Sequence, residues 1–464
     1  MELEQIISGL EDYGKLVTQI KAGRADYEYE KLKKQYDPLL HEVMDRPDKI
    51  VSDGPPVKRA KLPVPMQKLI VEYAVMMAVG NPIQYVAAAK EGAEKSLKEV
   101  LDITTEKNRL ATLDKQILRM LKSECEVAEL WHSEKAPEGY WDGTANDGTP
   151  SKLRVKLLAP SLGDTLIPIW NMYGDMIAFG RGYLVTVARG KKEEHFDIYT
   201  DTTYYLGKKN GEAWEFKPEK AQFGKIPVVY HTQEHTEWRD VQRLIEQKEM
   251  LMSRHADNNA YFAFPFMVAS GEIEKFADKG EDGKVLTLKG GGDVKMMTWD
   301  NAPASLELEK KTLDDEIFLN TMTPRLSEEQ VKGLGNYSGV ALKMLFLPAH
   351  MKAAKTEEVF GPGVSRRISL LKAWAVMNNP ALKPAERMEI TPRFTFFVPK
   401  NELEAVQTLT NALSGERPIM SQETAVGLNP LVSDPEAEWE RMQKEQESAD
   451  TLPSGLDRQM RAVI

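Results

Sequence analysis

"GKIPVVYHTQEHTEWRDVQRLIEQKEMLMSRHADNNAYFAFPFMVASG", residues 224–271, changes its periodicity twice. "KIPVVYH" (225–231) is short and β-branched and follows a glycine, so it reads as a strand with Pro227 near its start. From about 234 to 262 the apolar residues fall on one helical stripe: Trp238, Val241, Leu244, Ile245, Leu251, Met252 and His255. A helix of that length would span about 43 Å. The period of strands then returns in "PFMVASG" (265–271), "GKVLTLKG" (283–290) and "DVKMMTWD" (293–300), with Gly290, Gly291 and Gly292 turning the last two. A second helix at 303–322 brings the chain back. A helical hairpin with a small β tip has little core of its own. The pattern therefore predicts neighbours that bury its sides, arranged around a ring.

The flanks complete an α+β reading. Residues 1–50 read as two polar helices, and "SDGPPVKRAKLPVP" (52–65) as a solvated Pro-rich linker carrying Lys58, Arg59 and Lys61. An apolar helix at 66–79 stops at Gly80-Asn81-Pro82. A long helix is expected over 105–134, with Leu110, Leu113, Ile117, Leu118, Met120, Leu121 and Val127 at helical spacing. Residues 152–232 break into short β-branched and aromatic runs, an antiparallel β region. After 322 comes "VKGLGNYSGV" (331–340), then a helix from about 339 to 378 that contains Pro348 and Gly361-Pro362-Gly363. Proline removes a hydrogen bond and clashes with the preceding turn, so a kink is predicted there. "MEITPRFTFFV" (388–398) is a further strand, and the tail from 401 alternates short helices and turns.

The chain has 464 residues, a formal net charge of −10 and a single cysteine, Cys125. An acidic balance argues against a surface built to grip nucleic acid, though not against one that DNA slides past. One cysteine permits no internal disulfide. The acidic N-terminus lacks the pattern of a signal peptide, and no run of about 18 apolar residues occurs, so no membrane is expected and assembly in a cytosol is.

"HTQEH" (231–235) matches H-x-x-E-H, in which two histidines one helical turn apart bind zinc beside a glutamate base. Here His231 ends a strand and His235 starts the next element, so a polar junction is the better reading. The glycines Gly333, Gly335 and Gly339 miss the G-x-G-x-x-G spacing and follow a helix rather than a strand. They lack the Gly-Lys-Ser/Thr of a P-loop. They suit a hinge instead, with Ser338 as the next N-cap. No G-x-S-x-G elbow supports serine catalysis. The carboxylates Glu307, Glu309, Asp314, Asp315 and Glu316 read as a solvated helix face.

Six segments, in order, resemble the portal proteins of tailed bacteriophages, the large family of the Gp6-like type of siphophages. They are "LIVEYAVMMAVGNPIQY" (69–85), "GKIPVVYH" (224–231), "VQRLIEQKEMLMSRHADNNAYFAFPFMVASG" (241–271), "YSGVALKMLFLPAHMKAAKTEEVF" (337–360), "FTFFVPKNELEAVQTL" (394–409) and "MSQETAVGLNPLVSDPEAEWERM" (420–442). Glu246 and Lys248 depart from the family's pattern, as tolerable changes on a solvated helix.

The resemblance implies an α+β portal fold: a wing (1–233), a first stem helix (234–264), a small clip (265–302), a second stem helix (303–322), a tunnel loop (323–341), a long kinked helix with a wing strand (342–400) and a helical crown (401–464). It implies a ring, commonly a dodecamer, at one capsid vertex of the virion, assembled in the host cytoplasm. Double-stranded DNA passes through its channel in packaging and ejection. Partners would be the terminase large subunit, major capsid and scaffolding proteins, and head-completion or adaptor proteins. No catalytic residue, cofactor or metal is implied. Tunnel-loop candidates are Lys332, Gly333, Gly335, Asn336 and Tyr337. Channel-lining stem candidates are Glu307, Glu309, Lys310, Lys311, Asp314 and Asp315, and the kink falls at Pro348, Gly361, Pro362 and Gly363. The acidic members would repel the DNA backbone if they lie within a Debye length of it, about 8–10 Å. Edge strands of the clip could pair between neighbours. The alternatives are an H-x-x-E-H zinc metallohydrolase and a non-viral oligomeric helical scaffold.

Overall fold

Where the chain alternates apolar residues strictly, it builds two stacked sheets. The computed structural model describes residues 13–24, 27–50, 55–90, 92–187, 190–262, 266–270, 273–275, 287–288, 293–297, 303–325, 344–396, 402–414, 418–432 and 434–450. It divides into two compact units, Met1–Thr323 with Ala349–Phe397, and Pro324–Pro348 with Val398–Ile464.

The first unit opens with helices α1 (Tyr13–Ala22), α2 (Tyr29–Tyr36) and α3 (Met66–Val79), the last ending at Gly80 as its stop signal predicts. Strand β1 (Gln84–Val86) leads to α4 (Ala93–Lys107) and α5 (Leu110–Glu124). The single helix expected over 105–134 is therefore broken at Arg109 and ends ten residues early. Arg109 (φ 52°) and Cys125 (φ 66°) are both left-handed, a conformation that non-glycine side chains adopt at a steric cost of about 1–2 kcal/mol. No glycine marks either break.

Residues 126–135, expected to be helical, form strand β2 (Glu126–Lys135). It lies between β3 (Ser151–Leu158) and, later in the chain, β9 (Val228–Thr232), antiparallel to both. The intervening strands β4 (Thr165–Trp170), β5 (Met176–Thr186), β6 (Lys192–Tyr199), β7 (Thr203–Asn210) and β8 (Ala213–Lys220) make a five-stranded antiparallel meander.

Period two sorts the side chains of this meander between its faces. Leu166, Phe179 and Tyr199 pack against Ala128, Leu130 and Val228 of the three-stranded sheet. Their chain neighbours Ile167, Ala178 and Ile198 face the other way, under Leu16 and Val17 of α1. Each fully buried Phe or Leu here contributes on the order of 2 kcal/mol of apolar transfer.

Helix α6 (Gln242–Phe262) follows a 3-10 turn at Arg239–Val241, so the helix is shorter than the 234–262 expected. Its 21 residues span about 31 Å. Then come β10 (Phe266–Ser270), β11 (Ile273–Lys275), β12 (Thr287–Leu288) and β13 (Asp293–Met297). β10 pairs with β13 and β11 with β12, a nested arrangement rather than the simple hairpin expected of the last two strands. Gly290, Gly291 and Gly292 lie outside the described residues.

Helix α7 (Pro303–Asn320) returns, starting on a proline as helices favour. Helix α8 (Leu347–Asn378) is 32 residues long. Its stripe Phe360, Val364, Arg367, Ile368, Leu371 and Trp374 is buried at helical period. The short β14 (Thr391–Arg393) pairs with β1. In the second unit, α9 (Glu402–Leu413), α10 (Gln422–Leu428) and α11 (Pro435–Asp450) are polar helices. Ser421 caps α10 by accepting from the Thr424 amide at 3.2 Å.

Candidate functional site: the base of the helical hairpin

The buried stripe of α6 is largely polar. Val241, in the turn before the helix, and Ile245 are followed by Lys248, Glu249 and Ser253, all buried. Glu249 and Ser253, with Asp257 one turn on, face the Pro-rich segment. The Glu249 carboxylate accepts from the Val64 amide at 2.7 Å, the Ser253 hydroxyl from the Leu62 amide at 3.0 Å, and Asp257 from the Ala60 amide at 2.7 Å. Alternate amides of an extended chain are about 6.6 Å apart, and every fourth helix residue about 6 Å. The two repeats match, so the segment straps onto α6 as a side-chain ladder. Arg46 closes one end on Asp257 at 2.7 Å, and His41 adds Nδ1 to Glu249 at 2.6 Å. Residues 55–65 thus differ from the solvated linker expected, because acceptors nearly 200 residues away satisfy the amides of Ala60, Leu62 and Val64.

α6 and α7 pack on each other. Leu313 and Ile317 are buried, and Lys248 donates to Asp314 while its Nζ sits 3.8 Å from the Met66 sulfur. Lys248 is therefore part of the core at the hairpin base, not on a solvated face. Asp314, placed among the channel candidates, has its carboxylate in that buried contact. Glu307, Glu309, Lys310, Lys311 and Asp315 are exposed on α7.

Two ionic clusters tie α8 to its surroundings, one through α5 and one through the three-stranded sheet. Glu237 lies between Lys122 of α5 (2.7 Å) and Lys352 of α8 (2.8 Å). Burial pushes its carboxyl up, but the two ammonium groups outweigh that and hold it at about 2. Deeper, Arg367 pairs bidentately with Glu129 of β2, at 2.8 and 2.7 Å. Glu129 also accepts from the Trp131 indole at 2.9 Å and from His231 Nε2 at 2.7 Å. All of its acceptor directions are used, and against the burial that raises it the carboxyl sits at about 2, mainly through Arg367. Asp114 of α5 lies 2.7 Å from the same guanidinium, and burial pushes its carboxyl up.

The residues expected at a helix kink divide. Pro348 falls in the first turn of α8, where its missing N–H costs nothing. Gly361, Pro362 and Gly363 are mid-helix, and helical backbone continues through them. A Cβ on Gly363 would overlap the His231 imidazole, so this glycine is required by close packing.

His231 is thus a buried core residue, while His235 is 41 % exposed and pairs with its neighbour Glu234. The H-x-x-E-H geometry needs all five residues on one helix, and the chain turns there instead. Among the described residues no group of His, Cys, Asp and Glu is placed to hold a metal ion. Cys125 is buried, and burial with the Glu126 and Glu237 carboxylates pushes its thiol up to about 12. Among the described residues no helix is long and apolar enough to cross a membrane. Lys332, Gly333, Gly335, Asn336 and Tyr337 lie outside the described residues.

The sequence profile described as "Phage portal protein, SPP1 Gp6-like" matches residues 19–452. The chain belongs to this portal family. It is a structural, non-enzymatic capsid component. The portal protein of Bacillus phage SPP1 is 22% identical over 400 residues, covering 82% of this chain and 74% of that one. Among solved structures, the neck of a native gene transfer agent particle computed with C12 symmetry is similar at a TM-score of 0.41 and 13% identity, over 88% of this chain and 96% of that one. The neck of an empty particle computed with C6 symmetry gives 0.39 at 14% identity, over 78% and 88%.

Proposed function

We propose that this portal-family chain closes into a ring, of the dodecameric kind common in the family, at one vertex of a phage capsid. Its channel admits the genome in packaging and releases it in ejection. The observation that carries the reading is the family match over 19–452, nearly the whole chain. On this reading 1–233 is the wing, α6 and α7 the stem, 265–302 the clip and 401–464 the crown. The loop 323–341 faces the channel, with Lys332, Gly333, Gly335, Asn336 and Tyr337 toward DNA. The exposed α7 charges Glu307, Glu309, Lys310, Lys311 and Asp315 supply the wall of the stem. A wall of mixed sign with an acidic excess lets DNA slide rather than stick.

The partners follow: a terminase large subunit at the clip, capsid and scaffolding proteins around the wing, and head-completion or adaptor proteins. The test is packaging in vitro. Replacing Gly333 and Gly335 by proline should leave rings intact and lower the DNA packaged per capsid. Normal packaging by that variant contradicts a mobile channel loop.

A further inference from the structure

The buried cations Lys122, Arg181, Lys248 and Arg367 each meet a carboxylate, as does the half-buried Lys352. Among the described residues one cluster of cations, half-buried at Arg366 and Lys372 and exposed at Lys225, does not. Lys225, just before β9, donates to the Ser369 hydroxyl at 2.6 Å. Arg366, Ser369 and Lys372 follow one another at three-residue spacing on α8, which places them on one face. The Arg366 guanidinium is held by the Val228 and Ile226 carbonyls at 3.2 and 3.4 Å, and Lys372 by the Met388 carbonyl at 2.7 Å. All three partners are neutral. Glu386 is the nearest carboxylate to influence Lys225 and Lys372, and it is not within ion-pair distance of either. Burial, with mutual repulsion second, pushes both ammonium groups down. Three fixed positive charges against one hydroxyl are unfavourable in the separate chain. They are suited to one incoming oxyanion, with the Ser369 O–H still able to donate.

We propose that Lys225, Arg366, Ser369 and Lys372 receive a carboxylate side chain from a second copy of this chain. This inference rests on the ring reading. A carboxylate fits better than a DNA backbone, because Arg366 and Lys372 are half-buried and held by backbone carbonyls, with Lys225 alone exposed beside them, rather than spread along a protruding surface. A second copy fits because the chain carries 71 acidic against 61 basic residues, so each neighbour brings carboxylates in excess. The contact joins the end of α8 and the entry to β9 of one subunit to its neighbour.

The test compares the full chain with Lys225→Gln, Lys225→Gln/Lys372→Gln and Lys225→Glu/Lys372→Glu. Ring fraction is followed by mass photometry over a protein dilution series. The double Gln variant should need roughly tenfold more protein to form rings, and the double Glu variant more still. Added salt should weaken wild-type rings more than those of the Gln variant. The Tm of the unassembled Gln variants should be unchanged or higher, since repulsion is relieved. Rings that form at wild-type concentration in all three variants overturn the proposal while leaving the ring reading intact. Wild-type chains that form no ring overturn both. Unchanged rings with weakened binding of a short DNA duplex assign the cluster to DNA and also overturn it.

Discussion

The His231 imidazole lies against the bare Cα of Gly363, with its ring 4.8 Å from that of Phe360 and its Nε2 2.7 Å from Glu129. One residue of the three-stranded sheet thereby fixes the approach of α8, and the glycine inside that helix is what permits it. Gly363→Ala should cost about 2–3 kcal/mol, because the imidazole is enclosed and held by Glu129 and cannot swing aside. Urea unfolding measures this. Pairing it with His231→Ala should recover part of the loss, since the ring it collides with is gone, and the double-mutant cycle should show that coupling.

Arg367→Met should be more damaging, by about 3–5 kcal/mol, because Glu129 and Asp114 would remain buried without their cation. Replacing all three at once, as Arg367→Met, Glu129→Gln and Asp114→Asn, should recover much of that loss. Chemical denaturation of the single and triple variants gives the comparison.

Stability should fall in acid. Glu129 and Glu237 sit at about 2 in the folded chain against about 4.5 when unfolded. Their depressed values stabilise the fold above the unfolded value, and that contribution is lost as pH drops from about 4.5 to about 2. Asp114, raised by burial, works in the opposite sense and offsets part of the loss. Tm measured between pH 6 and pH 2.5 should decline mainly in the lower part of that range. Glu237→Gln should flatten the decline.

The strap on α6 makes a residue-resolved prediction. Ser253→Ala should cost about 1 kcal/mol and raise hydrogen exchange at the Leu62 amide, leaving Ala60 and Val64 less affected. Asp257→Ala should free Ala60 and also release Arg46. Exchange followed by NMR or mass spectrometry distinguishes the two.

The meander was legible because alternation acts locally: Leu166 and Ile167, or Ala178 and Phe179, must point to opposite faces wherever the strand lies. The stop of α3 at Gly80 and the start of α7 at Pro303 were legible for the same reason. The breaks at Arg109 and Cys125 were not, since their left-handed backbone is imposed by packing without a glycine to announce it. Val127 fits either period, and only the pairing of β2 with β3 and β9 decides it.

The base of the hairpin was the least legible part. Lys248 read as a tolerable change on a solvated helix, and Glu249 and Ser253 carried no signal, because their partners, Asp314, Val64 and Leu62, come from other parts of the chain. His231 drew notice as half of a zinc motif, while Glu129 and Arg367, which complete its surroundings, carry no local signal. The family itself was legible from six ordered segments spread over the chain.

Electron microscopy of the purified chain, with two-dimensional class averages viewed down the particle axis, tests the central claim most directly. The portal reading predicts closed rings of like subunits, with an axial opening wide enough for a DNA duplex. Monomers at every concentration, or closed particles whose axis a duplex cannot enter, would contradict it.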